Sequence, residues 1–158
     1  MTSVPASVAA YIGLGANLGD ASAVLLQAVQ AIAELDGVVL TRQSSLYTSA
    51  PIDSSGPDYI NAVVEVRTHC KPLELLLHLQ GIELRAGRVR LHRNAPRTLD
   101  LDLLLHGDAQ IDTAALTLPH PRMWQRAFVL HPLAEIAPQL VTPHHMRAVE
   151  GQGIARVP

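Results

Sequence analysis

The order of its apolar segments most constrains what this chain can fold into. Four segments have the β-branched or alternating pattern of strands, and two others have the apolar periodicity of amphipathic helices. In chain order the sequence predicts strand 9–14, helix 21–35, strand 38–47, strand 59–68, helix 72–86 and strand 99–105. This strand–helix–strand–strand–helix–strand order is typical of the split βαβ, or ferredoxin-like, arrangement.

Local signals bound these elements. Asp20 is suited to cap the first helix, and Pro72 suits the first turn of the second. Glycines at 13, 15 and 19 form a GxGxxxG pattern, one residue longer than the dinucleotide fingerprint, so we interpret them as turn geometry. Residues 48–57 are predicted to form a loop. We therefore predict one α+β domain over residues 1–158, with a ferredoxin-like βαββαβ core and a C-terminal extension of short strands and helix.

Composition excludes several classes of protein. The 158 residues are 48% apolar and carry a net charge of −2, which provides a core but no basic field for nucleic acid or anionic membranes. The one cysteine, Cys70, permits no internal disulfide, and no run of 18 apolar residues occurs. The first basic residue is Arg42, so the basic start of a secretory signal is lacking. We expect a cytoplasmic monomer that binds neither nucleic acid nor membranes.

Two carboxylates in the last predicted strand are the first candidate site. Asp100 and Asp102 are two residues apart, so they share one face of the strand with Cα atoms roughly 6.5–7 Å apart. Paired carboxylates repel each other unless cations lie between them, and magnesium prefers carboxylate and phosphate oxygens. The alternative is a half-exposed strand that carries two solvated acids, and the Asp-x-Asp spacing alone does not decide between these interpretations.

Arginines before this strand favour a phosphate ligand. The segment holds Arg85, Arg88, Arg90, Arg93 and Arg97. Because arginine binds phosphate oxygens through a planar fork and stays charged, the cluster beside a metal dyad indicates phosphoryl-type transfer. The alternative is a solvated charged face. No Walker loop is present, so the chain is not a P-loop enzyme.

Other polar and aromatic residues leave two interpretations open. Glu83 falls on the core side of the second helix, where a carboxylate needs either an ion-pair partner or a polar cavity. Tyr59 and Asn61 share one strand face, where a ring and an amide suit a heteroaromatic ligand. The alternatives are a boundary glutamate paired with an arginine, a core tyrosine and a turn-side asparagine.

Four blocks together resemble 6-hydroxymethyl-7,8-dihydropterin pyrophosphokinases of folate biosynthesis. They are residues 11–18 (YIGLGANL), 59–62 (YINA), 97–102 (RTLDLD), and 118–120 (LPH) with 126–130 (RAFVL). The resemblance runs from about residue 9 to residue 140. It implies a ferredoxin-like enzyme that transfers the terminal diphosphate of ATP to the hydroxymethyl group of the pterin and releases AMP.

The resemblance also implies roles for individual residues. Asp100 and Asp102 match the aspartates that bind two magnesium ions, and Arg88 and Arg97 match the arginines that hold the transferring group. The residues that match the ATP-binding positions are Glu83, Arg90, His120 and Arg126. Those that match the pterin-binding positions are Ser49, Ile52, Tyr59, Asn61 and Phe128.

Two alternative functions stay open on the sequence. A ferredoxin-like nucleic-acid-binding module would use the arginine cluster, but it requires aromatic residues on the sheet face and net positive charge, which the chain lacks. A non-catalytic nucleotide binder would lack the acids and arginines that this chain keeps. ATP and a dihydropterin are the expected small-molecule partners.

Overall fold

A computed structural model of the chain describes residues 6–50, 58–86 and 99–158. Four predicted site residues, Ile52, Arg88, Arg90 and Arg97, lie outside the described residues. Within them, no helix is long and apolar enough to cross a lipid bilayer.

The described residues form eight strands, four α-helices and two 3-10 turns. In chain order they are β1 Val8–Ala16, α1 Ala21–Ala33, β2 Val38–Gln43, β3 Tyr47–Ser49, β4 Tyr59–Thr68, α2 Pro72–Arg85, β5 Asp100–His106, β6 Ile111–Asp112, β7 Thr117–Leu118, the turn Met123–Gln125, α3 Ala127–Ile136, the turn Pro138–Leu140, α4 Pro143–Ala148 and β8 Ile154–Arg156. The predicted mixture of helices and strands is confirmed. Asp20 caps α1, accepting a hydrogen bond from the Ala23 N–H at 3.1 Å.

Strand β1 lies inside the main sheet. It pairs antiparallel with β4 on one side and with β5 on the other. The sheet order is β5-β1-β4-β3-β8, and β2 also pairs with β4, farther along that strand. Strands β6 and β7 form a separate two-stranded ribbon.

The predicted strand 38–47 begins where predicted but is interrupted, because the chain leaves the ladder after Gln43. Ser44 donates its N–H to the Val63 carbonyl at 3.0 Å, and its Oγ accepts the Val63 N–H at 2.9 Å. A side chain therefore takes the place of a backbone acceptor at this point, and pairing with β4 resumes only at Tyr47 in β3. The predicted loop correspondingly begins too early, since Thr48 and Ser49 belong to β3.

The glycine pattern is only in part a turn. Gly19 has a φ of +59° and precedes α1, as the turn interpretation requires. Gly13 and Gly15 instead lie within β1, in regular pairing with β4 and β5. The turn interpretation is therefore wrong for these two residues.

Helices cover the two faces of the sheet unequally. On one face, α1 and α2 bury the larger core, in which Leu25 and Leu79 pack against Ile12 and Val64. On the other face, α3 packs Leu133 and its neighbours against Tyr11, Val63 and Leu104. Residues farther along the same strands on this second face line a cavity instead.

The carboxylate of Glu135 attaches α3 to β3 and to the segment that precedes it. Glu135 accepts hydrogen bonds from the Ser45 N–H, from the Ser45 hydroxyl at 2.9 Å and from the Tyr47 hydroxyl at 2.7 Å. Arg156 of β8 lies 3.6 Å from the same carboxylate. Burial acts to raise the pKa of Glu135, but the hydrogen bonds from Tyr47 and Ser45 outweigh it and hold this pKa below 4.5.

We predict that Glu135→Gln lowers the free energy of unfolding by about 1–2 kcal/mol at pH 7, because charged hydrogen bonds are replaced by neutral ones. The folded-state pKa lies below the unfolded one, so this stabilisation is present above pH 4.5 and is lost as the pH falls through the folded-state pKa. Denaturant unfolding at pH 7 and at pH 3 measures both values.

Glu150→Gln is the matched control, because Glu150 is exposed and its side chain bonds to none of the described residues. An equal loss of stability in both variants, or a loss for Glu135→Gln that does not shrink in acid, would contradict the role assigned to Glu135.

Candidate active site

A cavity of about 600 Å³ opens where α3 leaves the sheet face uncovered. Its floor is β1, its sides are β4 and β5, and its far wall is the start of α3. It brings together eight of the predicted site residues, namely Ser49, Tyr59, Asn61, Asp100, Asp102, His120, Arg126 and Phe128. Residues that are separated by up to 79 positions in the chain therefore face one volume.

The two aspartates occupy one wall of this cavity. Asp100 pairs in register with Gly15, and Asp102 with Gly13, so no side chain of β1 stands between the acids and the cavity. The Asp102 side chain is 42% exposed, and its nearest cationic atom is Arg126 Nη1 at 3.7 Å. Because this separation exceeds hydrogen-bonding distance, Asp102 keeps oxygen lone pairs directed into the cavity.

His120 stands beside Asp102 as a neutral side chain at pH 7. The backbone N–H of His120 donates to the Leu104 carbonyl at 2.9 Å. His120 directly follows Pro119, which is joined to Leu118 by a cis peptide. The Arg122 N–H donates to Nδ1 at 3.2 Å, so the ring proton is on Nε2, which lies 3.9 Å from Asp102 Oδ1. Burial lowers the pKa of His120, and the neighbouring arginines add to this effect against the opposing charge of Asp102.

Arg126 links the acidic wall to the aromatic one. It directly precedes α3, and its guanidinium carbon lies 5.3 Å from the centroid of the Phe128 ring. That distance is typical of a cation–π contact. One arginine therefore contacts Phe128 and approaches Asp102 at the same time, so it stands between two chemically different halves of the cavity.

The opposite wall presents a ring and an oriented amide. Tyr59 and Asn61 lie on the same face of β4, and Asn61 is only 3% exposed. The Asn61 Nδ2 donates to Ser49 Oγ at 2.7 Å. The Ser49 hydroxyl therefore contacts the amide, and the remaining amide oxygen, Oδ1, is directed toward Gly15.

Glu83 is the one described residue of the predicted set that does not line the cavity. It is 5% exposed, and its Oε2 accepts the Leu101 N–H at 2.8 Å. Leu101 lies between the two aspartates, so this bond holds the strand that carries them. The predicted contact of Glu83 with ATP stays a prediction.

The two carboxylates suit a hard cation that takes its remaining ligands from a phosphate and from water. No group of three or more His, Cys, Asp or Glu residues in the described part of the chain could hold a metal ion. Two carboxylates on one strand face are present, however, and magnesium binds proteins through one or two carboxylates, with phosphate and water oxygens completing the shell.

The cavity also has lining residues outside the predicted set. Gly13, Gly15, Pro121 and Arg122 line the main cavity, and the glycine pattern was the available signal for the first two. A second cavity of about 260 Å³ adjoins the site, shares Asp102 and His120, and is also lined by Gln80 and residues 113–117. No motif marks those residues. Gln80 lies on α2 and residues 113–117 lie in a segment distant from it in the chain, so only the fold brings them together.

Comparisons with known proteins identify the family to which this chain is similar. The model of the 7,8-dihydro-6-hydroxymethylpterin-pyrophosphokinase family matches residues 11–138. The 2-amino-4-hydroxy-6-hydroxymethyldihydropteridine pyrophosphokinase of Synechocystis sp. is 46% identical over 140 residues, which is 89% of this chain and 72% of the relative. The protein of the same name from Pseudomonas aeruginosa is 42% identical over 155 residues, which is 94% of this chain and 96% of the relative.

Solved structures support the fold. The crystal structure of Plasmodium falciparum HPPK-DHPS wild type with pteroate superposes with a TM-score of 0.68 at 14% identity. The match covers 87% of this chain and 40% of that one, so this chain spans less than half of the solved protein. On the family match and the identity to its relatives, the chain belongs to the 7,8-dihydro-6-hydroxymethylpterin-pyrophosphokinase family.

Proposed function

We propose that this protein transfers the terminal diphosphate of ATP to the hydroxymethyl group of 6-hydroxymethyl-7,8-dihydropterin, releasing AMP, in folate biosynthesis. The observation that carries this proposal is one cavity that joins a ring-and-amide wall to a carboxylate wall. Family membership supports the same reaction. A nucleic-acid-binding module is not favoured, because the relatives are named as pyrophosphokinases.

The carboxylate half is proposed to receive the polyphosphate. Asp100 and Asp102 would hold two magnesium ions, whose chemistry is to neutralise phosphate charge and to align the transferring group. Arg126 is placed to donate to phosphate oxygens, and neutral His120 offers its Nε2 proton as a further donor. These groups act through charge and position, which dominate catalysis of phosphoryl-type transfer.

The arginines before β5 complete this half of the proposal. Arg88 and Arg97 would hold the transferring diphosphate, and Arg90 would support ATP. All three arginines lie outside the described residues. Their proposed roles rest on the resemblance of this segment to the pyrophosphokinase family and on the affinity of guanidinium groups for phosphate. Glu83, predicted to contact ATP, also holds β5 through Leu101.

The other half of the cavity is proposed to bind the pterin. Tyr59 and Phe128 would stack on the faces of the ring system, and the Asn61 amide would hydrogen-bond to its edge. Ser49 orients that amide, and Ile52 would add an apolar contact. In this arrangement the hydroxymethyl group would extend across β1 toward Asp100 and Asp102.

We further propose a topology, a domain extent and an oligomeric state for the molecule. With β2 and β3 taken as one interrupted strand, the core from β1 to β5 would be a ferredoxin-like βαββαβ unit, extended at its C-terminal end by α3, α4 and β8, within one domain over residues 1–158. We expect it to act as a cytoplasmic monomer.

The nucleotide product tests the reaction. Purified protein incubated with magnesium, ATP and 6-hydroxymethyl-7,8-dihydropterin should form AMP in equal amount to the pterin diphosphate, as measured by chromatography. Formation of ADP, or no consumption of the pterin, would overturn the proposed function.

We predict that Asp100→Ala and Asp102→Ala each lower kcat on the order of 100- to 1,000-fold, because each removes a charge that the polyphosphate site needs. Their thermal unfolding midpoints should change little, since the two acids repel each other. Asp108→Ala, which removes an exposed acid after β5, is the control. Near-normal turnover of either site variant at saturating magnesium would contradict the role of the pair.

We predict that Phe128→Ala lowers pterin affinity by about 1–3 kcal/mol, by analogy with stacking of nucleic-acid bases on aromatic rings. Calorimetry with 6-hydroxymethylpterin, in the presence of magnesium and a non-hydrolysable ATP analogue, measures the loss. The affinity for the analogue alone should change less than that for the pterin. An unchanged pterin affinity would place the ring outside the binding site.

A further inference from the structure

Gly15 lies at the crossing point between the two halves of the cavity. It pairs in register with Asn61 on β4 and with Asp100 on β5, so these three residues form one row across the sheet. Two strand spacings separate Asn61 from Asp100, which is about 10 Å. A ligand that reaches from the amide to the carboxylates must therefore lie over Gly15.

The space above Gly15 belongs to the ring-and-amide half. A Cβ atom placed on Gly15 would lie 3.4 Å from Asn61 Oδ1 and 4.0 Å from Tyr59 Cδ1, with no other contact below 4 Å among the described residues. A Cβ atom on Gly13 would instead meet the Leu104 side chain at 3.5 Å, within the core. Gly15 therefore leaves open space that a ligand can occupy, whereas a side chain on Gly13 would pack against Leu104.

Backbone conformation does not require glycine at this position. Gly15 lies inside β1 with a φ outside the left-handed range, a conformation that any residue adopts. Glycine in a strand interior also weakens the strand, and it often marks a site where a ligand approaches the backbone closely. The missing side chain therefore points to a demand for space above the strand.

The neighbouring amide shows what this space would accept. Ser49 Oγ accepts the Asn61 Nδ2 proton, and Oδ1, the other end of the amide, faces Gly15. None of the described residues donates a hydrogen bond to Asn61 Oδ1, the atom nearest to the space. An acceptor that borders an empty patch of strand backbone suits the edge of a flat ring that carries an N–H donor.

We propose that Gly15 is a specificity-determining residue of this site. Its lack of a side chain lets the edge of a planar heterocycle with an N–H donor reach Asn61 Oδ1, while the substituent of the ring extends across β1 toward Asp100. This inference rests on the proposed function, since it assumes that the pterin binds in this half of the cavity.

The test compares Gly15→Ala with the unchanged protein. The added methyl group would crowd the space beside Asn61, so the Kd for 6-hydroxymethylpterin, measured by calorimetry with magnesium and a non-hydrolysable ATP analogue, should rise about tenfold or more. The Kd of the analogue alone should change less than about twofold, because the methyl group lies away from Asp100. Binding of the analogue also reports that the variant is folded.

A double-mutant cycle separates local crowding from a general effect on the strand. In the Asn61→Ala background the truncated side chain leaves the ring room to move away from the methyl group, so adding Gly15→Ala should raise the pterin Kd by less than about threefold. A full tenfold effect in that background would overturn the inference, because the loss would then not depend on the amide.

The proposed function and the role of Gly15 are overturned by different results. If the unchanged protein forms no AMP from ATP and 6-hydroxymethyl-7,8-dihydropterin, the proposed function is overturned, and this inference with it. If the unchanged protein binds the pterin and Gly15→Ala binds it equally well, only the role of Gly15 is overturned.

Discussion

Pairing of β1 with strands on both of its sides is the constraint on which the site depends. Its register with β4 and β5 places Asn61 and Asp100 in one row, with Gly15 between them. Side chains alternate along a strand, so a slip of β5 by one residue would turn both aspartates toward the face that α1 and α2 cover. Buried leucines would then face the cavity, which is why the apolar alternation of β5 also fixes where the acids point.

The cavity exists because α3 covers only part of one sheet face. Leu133 and its neighbours pack on Val63 and Leu104, whereas Phe128, in the first turn, borders the uncovered part. The carboxylate of Glu135 holds the helix against Ser45 and Tyr47. The same packing that buries apolar area therefore determines how far the aromatic wall stands from the acidic one.

Much of this architecture could be predicted from local pattern. Strand β4 has the predicted bounds, and the alternation that placed Asp100 and Asp102 on one face is observed. The break at Ser44 could not be predicted, because a side-chain hydroxyl replaces a backbone acceptor only when Val63 lies opposite. Gly15 was misassigned to a turn for the same reason, since its place in the sheet depends on two strands that are distant in the chain.

The bond from Leu101 to Glu83 also changes what the edge of the sheet presents to solvent. Among the described residues β5 ends the order of the sheet, and N–H groups at such an edge can pair with a strand of another molecule. Glu83 occupies the N–H of Leu101 on that side and places a buried carboxylate where an incoming strand would need a carbonyl. A residue that holds the acidic strand thereby also removes one N–H group with which an incoming strand could pair.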